Sequence, residues 1–523
     1  GFIILSATEM ISPRNMKNSK IPYFLTPITF AVAQLFALNT YAADTQLPEI
    51  EVIANTVLTG VGISLTDVPS NAQVIKKKDI VEQGTNNLAD LLNNNLGSVS
   101  VSNGTGNGYQ NDVNYRGFSA TSVLGAPVGV SVYFDGVRMN EPFGSNVNWD
   151  LIPMNAISSI NLLSGSNPMF GLNTLGGALV VNTKNGKDDS GTAISLLGGS
   201  FNRKALSFET GWADDAHNTD YFISGNYDKQ DGYRWYSNST VEQLYGKARW
   251  HDADTKVELS FALADNALNG TQALPPEMLG TPKAAYTYPD GVNNKMALLN
   301  LKFSKTLSDG DLLSGNLYYR KSNASSTNSN IQGDDSCSQN GAGNGKLCFL
   351  TGGTGVVSSS NQQYINAVSS LGGSIDLAGK YYGINGAISH RTPMYAFSSP
   401  GPQANYSTSG YYDWNSLNNA SLVYSTTHQD SVGTNLMWTN TDDKLFGRAN
   451  TFSLGASIDH SHITYNQNTY LGQLISYQIV PIYTDQANLA MSGVSGLVNS
   501  VNVGSNNDNL SLFMTDTLDV TDK

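Results

Sequence analysis

From about residue 190 onward the chain alternates apolar and polar positions with a period of two. In Lys256 to Leu263, Val257, Leu259, Phe261 and Leu263 share one face, while Lys256, Glu258, Ser260 and Ala262 share the other. Asp311 to Arg320 repeats the pattern, with Leu313, Gly315, Leu317 and Tyr319 set against Ser314, Asn316, Tyr318 and Arg320. Asp220 to Asp228 and Val241 to Trp250 behave similarly, with aromatics gathered near the segment ends. Segments of about ten residues with one apolar and one polar face are what strands of a transmembrane antiparallel β-barrel require. Short polar turns stand at Asp214-Asp215, His251 to Asp254, Asp309-Gly310 and Asp442-Asp443, and long irregular stretches at 267–292, 322–362, 395–413 and 467–505. Short turns at one end and long loops at the other are the asymmetry of such barrels. The fold class is therefore mainly β.

The pattern before residue 190 is different. Gln73-Val74-Ile75 reads as a short strand, and Thr85 as the N-cap of a helix carrying Leu88, Leu91 and Leu92 on one face, stopped at Gly97. Val113 to Phe118, Val128 to Phe134, Ile157 to Leu163 and Ala178 to Thr183 read as strands, with turn chemistry at Asp135-Gly136 and from Gly171 to Gly177. This is a small α+β domain. Nearer the start, Met16 to Lys20 is positive, Ile21 to Leu38 is apolar but broken by Pro22 and Pro27, and Thr40-Tyr41-Ala42 offers a cleavage site after Ala42. That is a secretory signal peptide rather than a membrane span. The expected division is 1–15 with no assigned role, 16–42 signal peptide, 43–64 coupling segment and linker, 65–188 inner domain and 189–523 partial barrel.

Composition narrows the picture. Charged residues make up 14% of the chain and the net charge is −13, so no basic footprint for nucleic acid is present. Cys337 and Cys348 lie together in a Gly/Asn/Ser-rich stretch. Export to an oxidising compartment favours a disulfide between them, and a pair with no nearby His makes a poor zinc site.

Six pieces of the α+β region carry a resemblance. They are Val68 to Ile75, Asn87 to Leu92, Tyr115-Arg116-Gly117-Phe118, Val130 to Arg138, Ile157 to Gly165 and Phe170 to Lys184, the last holding Gly171, Gly176 and Gly177. In this order they resemble the plug of TonB-dependent outer-membrane receptors. The stretch Ser131 to Asp150, ending Phe143-Gly144-Ser145-Asn146-Val147-Asn148-Trp149-Asp150, looks most like the ferric-citrate-type branch. The resemblance implies a barrel of roughly 22 strands with the plug in its lumen. About a dozen strands are countable here, so the barrel is expected to be incomplete in this chain. It also implies active transport across the outer membrane of a Gram-negative cell, driven by the TonB protein of the inner membrane. The implied cargo is an extracellular small molecule, a ferric siderophore or other iron chelate first, with cobalamin, another metal chelate or a carbohydrate as alternatives. The implied partners are TonB, that ligand and outer-membrane lipid, with no cofactor. Glu49-Ile50-Glu51-Val52-Ile53-Ala54 would be the coupling segment, able to add as an edge strand to a partner sheet. Plugs of this family commonly carry an Arg before the Gly of their i-e-v-l-r-G-p motif, pairing with barrel carboxylates. Here Ser164-Gly165-Ser166 stands instead, which leaves Arg116 alone to match the other plug arginine, while Asp135-Gly136 matches the family's hairpin turn.

Other classes find less support. A passive porin or adhesin would lack the plug motifs and the coupling segment. An enzyme would need a convergent catalytic set, and the sequence has no His-Glu-x-x-His, no nucleophile elbow in context and no Walker lysine after its Gly-rich turns. His460 and His462 share a strand face with Leu454, Ala456 and Ile458, which fits a membrane-interface role better than a metal site.

Overall fold

The computed structural model describes residues 70–331, 420–475 and 497–520, save for 86, 166–169, 275–278, 309 and 442–443, together with short strands at 52–53, 63–64, 374–375, 381–382 and 478–481. The expected signal peptide, Glu49 to Glu51, Ala54, Cys337 and Cys348 lie outside the described residues.

The first strands, β1 (Val52–Ile53) and β2 (Ile63–Ser64), pair antiparallel. The plug then runs β3 (Ala72–Lys76), α1 (Lys77–Gln83), α2 (Leu88–Asn95), β4 (Val99–Ser102), β5 (Asp112–Tyr115), β6 (Phe118–Ala120), β7 (Val130–Phe134), β8 (Val137–Arg138), β9 (Ile157–Ser164) and β10 (Gly177–Thr183). Its main sheet has the order β3-β9-β10-β7-β8, antiparallel throughout except for the parallel pair β7–β10, and β4-β5-β6 form a second small sheet. Both faces of the main sheet are covered. Val132, Phe134, Ile160 and Val181 pack with Leu88, Leu91 and Leu92 of α2, while Tyr133, Leu163, Phe170 and Val180 form a second cluster on the other side. Two-sided burial is why β7 and β10 are nearly continuous apolar runs instead of alternating ones.

Three local expectations need correction. The helix cap is Asn87, whose side chain accepts from the Asp90 amide at 2.8 Å, and not Thr85; the helix ends at Asn95. A further helix, α1, precedes it with no buried residue, so no apolar stripe announced it. Residues 113–118 are not one strand but the β5–β6 hairpin, because Arg116 (φ 51°) and Gly117 (φ 83°) are both left-handed. Asp135 (φ 48°) and Gly136 (φ 85°) build the same turn between β7 and β8. Two residues at positive φ match the twist of the flanking strands, which explains both motifs as hairpin chemistry.

The wall follows as β11 (Gly191–Gly199), β12 (Arg203–Asp214), β13 (Thr219–Gln230), β14 (Ser239–His251), β15 (Thr255–Asn269), β16 (Gly291–Ser308) and β17 (Asp311–Ile331), then the isolated pair β18 (Ser374–Ile375) and β19 (Tyr381–Tyr382). β20 (Ala420–Asn440), β21 (Lys444–Leu445), β22 (Arg448–Ile475), β23 (Gln478–Pro481) and β24 (Leu497–Leu518) complete it. Among the described residues these strands, without β18 and β19, form one antiparallel sheet of twelve, in sequence order from β11 through β17 to β20 and β22, with β21, β23 and β24 on β22. On β15, Leu259 is 46% exposed, while Glu258 and Ser260 are 6% and 5% exposed against the plug. The faces therefore fall as the alternation requires. Trp212 stacks on Tyr221 at 5.2 Å on the outward face near the short turns, where aromatics sit at the edge of the hydrocarbon.

The wall strands run further than the sequence pattern implied. β17 and β20 reach 21 residues each and β22 reaches 28, with β17 and β22 absorbing parts of the stretches expected to be loops. A bilayer crossing needs only about 9–11 residues. Backbone pairing does not depend on side-chain polarity, so Ser326 and Ser425, with hydroxyls 2.7 Å apart, continue the ladder where apolar alternation has ended. No helix among the described residues is long and apolar enough to cross a membrane.

Candidate functional site

The plug meets the wall along a charged seam that holds ion pairs of both polarities. Its most buried pairs set plug carboxylates against wall cations. Asp135, 3% exposed at its hairpin turn, lies 3.2 Å from Lys247 Nζ of β14. It also accepts from the Thr183 amide at 3.1 Å and from the Tyr245 hydroxyl at 2.9 Å. Burial works against its charge, but Lys247, Lys302 and the Thr183 hydroxyl hold its carboxyl below the ordinary value. Behind this pair, Glu258 bridges Lys256 at 2.8 Å and Lys302 at 3.1 Å.

Two more plug carboxylates follow toward the long-loop end. Glu141 is paired with Arg320 of β17 and accepts from Ser322 at 3.0 Å and Gln429 at 2.9 Å. Asp150 faces no cation but the amides of Asn266 at 2.8 Å and Asn294 at 2.9 Å. Burial outweighs those amides and pushes its carboxyl up to about 6. Among the described residues two contacts have the other polarity, Lys184 of the plug on Glu209 of β12 at 2.5 Å and Lys77 of α1 on Asp189, just before β11.

The residues singled out from sequence divide between this seam and the plug's own packing. Asp135 is the seam's centre, and the carbonyl of its neighbour Gly136 accepts from Asn316 at 3.5 Å. Arg116 is exposed, with its guanidinium 5.2 Å from the Tyr115 ring centroid, and makes no ion pair among the described residues. It carries no part of the lock on this side. Phe118 covers Gly129 and Gly176, where a Cβ would sit 2.6 Å from its side chain. A Cβ on Gly177 would sit 2.5 Å from the Leu163 carbonyl, so only glycine allows β10 this close to β9. Gly165 (φ 90°) and Gly171 (φ 63°) occupy left-handed turns beside β9 and β10. Val52 and Ile53 are strand residues paired with Ser64 and Ile63. His460 and His462 point outward, to Asp508 at 2.5 Å and Asn506 at 2.8 Å.

Sequence reasoning missed Glu141, Asp150, Lys247, Lys302 and Arg320 as partners. A signal was present, since Lys247, Lys302 and Arg320 fall on the polar face of strands whose other face is apolar at the same height. A charge there must be answered from inside the lumen.

At the long-loop end the plug apex and the wall line an open cavity of about 780 Å³. Plug loops supply Gln110, Phe143, Asn146 and Asn148, and the wall supplies Asn294, Ser425, Thr427, Gln429, Tyr465 and Gln467. Phe143 lies against Tyr465 with ring centroids 4.9 Å apart, and its amide donates to Gln429 at 3.0 Å. The volume lies within the roughly 300–1,000 Å³ typical of small-molecule sites.

Comparison with known proteins agrees with this architecture. Residues 64–178 match the TonB-dependent Receptor Plug Domain family. The vitamin B12 transporter BtuB of Vibrio vulnificus is 26% identical over 259 residues, covering 45% of this chain and 39% of that protein. Its counterpart from Vibrio cholerae is 26% identical over 199 residues, covering 38% of this chain and 30% of that protein. The matched parts are thus well under half of these relatives' length. The siderophore receptor PiuA from Acinetobacter baumannii shares the fold at a TM-score of 0.57 and 16% identity, over 90% of this chain and 58% of that one. The ferric citrate transporter FecA does so at 0.58 and 11%, over 88% of this chain and 55% of that one. A segment that matches the plug domain of TonB-dependent receptors thus lies against a strand wall whose fold is shared with the PiuA and FecA structures.

Proposed function

We propose that the protein of which this chain is part takes up a scarce small molecule across the Gram-negative outer membrane, using energy delivered by an inner-membrane TonB partner. The observation that carries this reading is the plug itself, docked by buried ionic contacts inside the wall and beneath a ligand-sized cavity at the long-loop end. A channel so obstructed serves passive diffusion poorly, and a pull on the plug is the way to open it. The chain would reach the membrane by way of the signal peptide at 16–42, cleaved after Ala42. The handle would be Glu49 to Ala54, in which Val52–Ile53 already takes strand conformation against Ile63–Ser64. Exchanging that two-residue pairing for a partner's sheet edge costs little backbone bonding. The ligand choices supported by relatives are the vitamin B12 of the Vibrio transporters and the ferric chelates of the structural neighbours.

The test is Val52→Pro in the intact receptor. Proline removes a backbone donor and blocks strand addition, so cellular uptake of a bound ligand should be lost while its dissociation constant stays unchanged. Uptake at the wild-type rate would end the assignment of this segment.

A further inference from the structure

We propose that the outward face of β11 to β13, at the long-loop end, binds a phosphorylated glycolipid of the outer leaflet, with a phosphate held between Lys204 and Lys229. The inference rests on the proposed placement in the outer membrane and adds to it a specific lipid site.

Lys204 of β12 and Lys229 of β13 are both exposed and stand directly opposite each other in the ladder. Like charges facing across neighbouring strands repel, and among the described residues neither lysine has an ion-pair partner. The acids around them are committed or set apart. Asp228, next in sequence, turns inward, where it is paired with Arg203 and accepts from the Tyr109 hydroxyl at 2.8 Å. Lys229 lies opposite Thr240, so Glu242 is one diagonal step away, and Asp265 beside Glu242 is answered by Lys295 at 2.7 Å. Asp231 is exposed two residues beyond Lys229 and pairs with neither lysine. An anion bridging Lys204 and Lys229 removes their repulsion.

The lysines mark a boundary between two kinds of surface. Toward the short turns the same face exposes Leu196, Leu206 and Phe208. A shallow trough of about 570 Å³, lined by Leu206, Phe208, Tyr227, Leu244 and Leu263, opens beside them, with Glu242 and Asp265 also on its rim. From Lys204 to Trp212 is the length of one crossing, about 9–11 residues. The lysines therefore stand at the opposite edge of the hydrocarbon from the Trp212–Tyr221 stack. Toward the long loops the strand tips end in exposed Phe201 and Tyr233, edge to face with centroids 5.6 Å apart. An apolar surface, a cation pair and then aromatic rings match, in order, the acyl chains, phosphate and sugar of a glycolipid. Lysine suits the middle tier, because its stem lies along apolar surface while its ammonium reaches the polar layer. A small soluble anion would use the cation pair alone and leave the other two tiers without a role.

The experiment measures lipid retained by the intact receptor in native mass spectrometry, after incubation in detergent with an equimolar mixture of lipid A, a phosphorylated acyl disaccharide, and its dephosphorylated form. The two probes share sugars and acyl chains, so their difference reads the phosphate. Lipid A should be retained about tenfold over the dephosphorylated form, and the double variant Lys204→Gln with Lys229→Gln should lose that preference. Both side chains are exposed, so the urea stability of the double variant in vesicles should match the unaltered receptor. Lys305→Gln, at an exposed lysine of β16 near the short-turn end, should leave the preference intact. Equal retention of the two lipids, a double variant that keeps the preference, or an equal loss in Lys305→Gln overturns the proposal. Displacement of lipid A by inorganic phosphate would show a site for a free anion and overturns the lipid assignment. Retention of neither lipid by the folded receptor overturns the site and counts against the membrane placement too, whereas uptake in Val52→Pro reports on coupling alone.

Discussion

Asp135→Asn isolates the ionic part of the plug seam. Asp135 sits at φ 48°, and asparagine tolerates that region as well as aspartate does, so the turn with Gly136 should survive. Shape and most hydrogen bonding are kept while the charge is removed. Lys247 is then left buried beside an amide, because Glu258 is already shared between Lys256 and Lys302. Taking one partner from a buried pair costs about 3–5 kcal/mol. The bonds retained from Thr183 and Tyr245, and the nearby Glu258, place this case toward the lower end, about 3 kcal/mol. In local opening of the plug that is about two orders of magnitude. Hydrogen exchange of the amides at 130–138 and 177–183, measured by mass spectrometry on the intact receptor in nanodiscs, should show protection falling by that factor. Lys247→Met should do similar damage by orphaning Asp135, and the double variant should recover at least half of the loss. Protection unchanged within threefold in both single variants would refute a stabilising seam. A double variant as damaged as the sum of the singles would show that packing, not charge, holds this corner.

Three other outcomes are expected. Leu259→Arg, on the lipid face, should destabilise folding into vesicles by roughly 2–4 kcal/mol, whereas Ser260→Gln on the opposite face should spare that penalty; urea titrations giving the reverse order would invert the facing of β15. Because burial raises the Asp150 carboxyl to about 6, the docked plug binds a proton that the released plug gives up between about pH 4 and 6, so docking should tighten as pH falls. From pH 7 to pH 5 the gain is about 1.4 kcal/mol, and the exchange rates of the amides around 149–151 should slow beyond the intrinsic pH effect, a gain that Asp150→Asn should remove. Asp135 has the opposite sign, with its contribution complete above the ordinary carboxylate range and lost only as pH falls through its lowered value. Cys337 and Cys348 should be linked in protein from the cell surface, and peptide mapping without reduction that finds both alkylated would refute the pairing.

The wall was legible because one physical rule governs it. A strand between lipid and a polar lumen must alternate, and Leu259 and Phe261 against Glu258 and Ser260 display that rule in four residues. The ends of the strands were not legible, since beyond the hydrocarbon neither face need be apolar and the Ser- and Asn-rich parts of β17 and β22 look like loops. In the plug, the turn at Asp135-Gly136 was visible from its residues, while Arg116-Gly117 was hidden inside an apparent strand because arginine seldom adopts a left-handed conformation. The seam was hidden for a different reason. It pairs residues more than a hundred positions apart, such as Asp135 with Lys247 and Glu141 with Arg320. The missing arginine at Ser164-Gly165-Ser166 reads as a weakened lock, whereas on this side of the plug other residues supply ion pairs of both signs.

The charges on the inner face of the wall also bear on how the strand register is fixed. Glu258 of β15 lies directly opposite Lys302 of β16, and Lys247 of β14 lies opposite Ser260. The ionic seam and the lipid face are therefore set by the same alternation on the same three strands. A slip of one residue in β14 and β16 would turn Lys247 and Lys302 toward hydrocarbon and strip Asp135 and Glu258 of their partners at once. The two exposed lysines alone would cost roughly 4–8 kcal/mol near the midplane, and each orphaned carboxylate adds a buried charge without compensation. An apolar lumen would carry no such penalty, because a slipped strand would present one apolar face in place of another. The charges facing the plug thus do more than hold it. They make the alternative registers of the surrounding wall unfavourable before the plug has docked, and they reserve for the docked plug the counter-charges that complete the site.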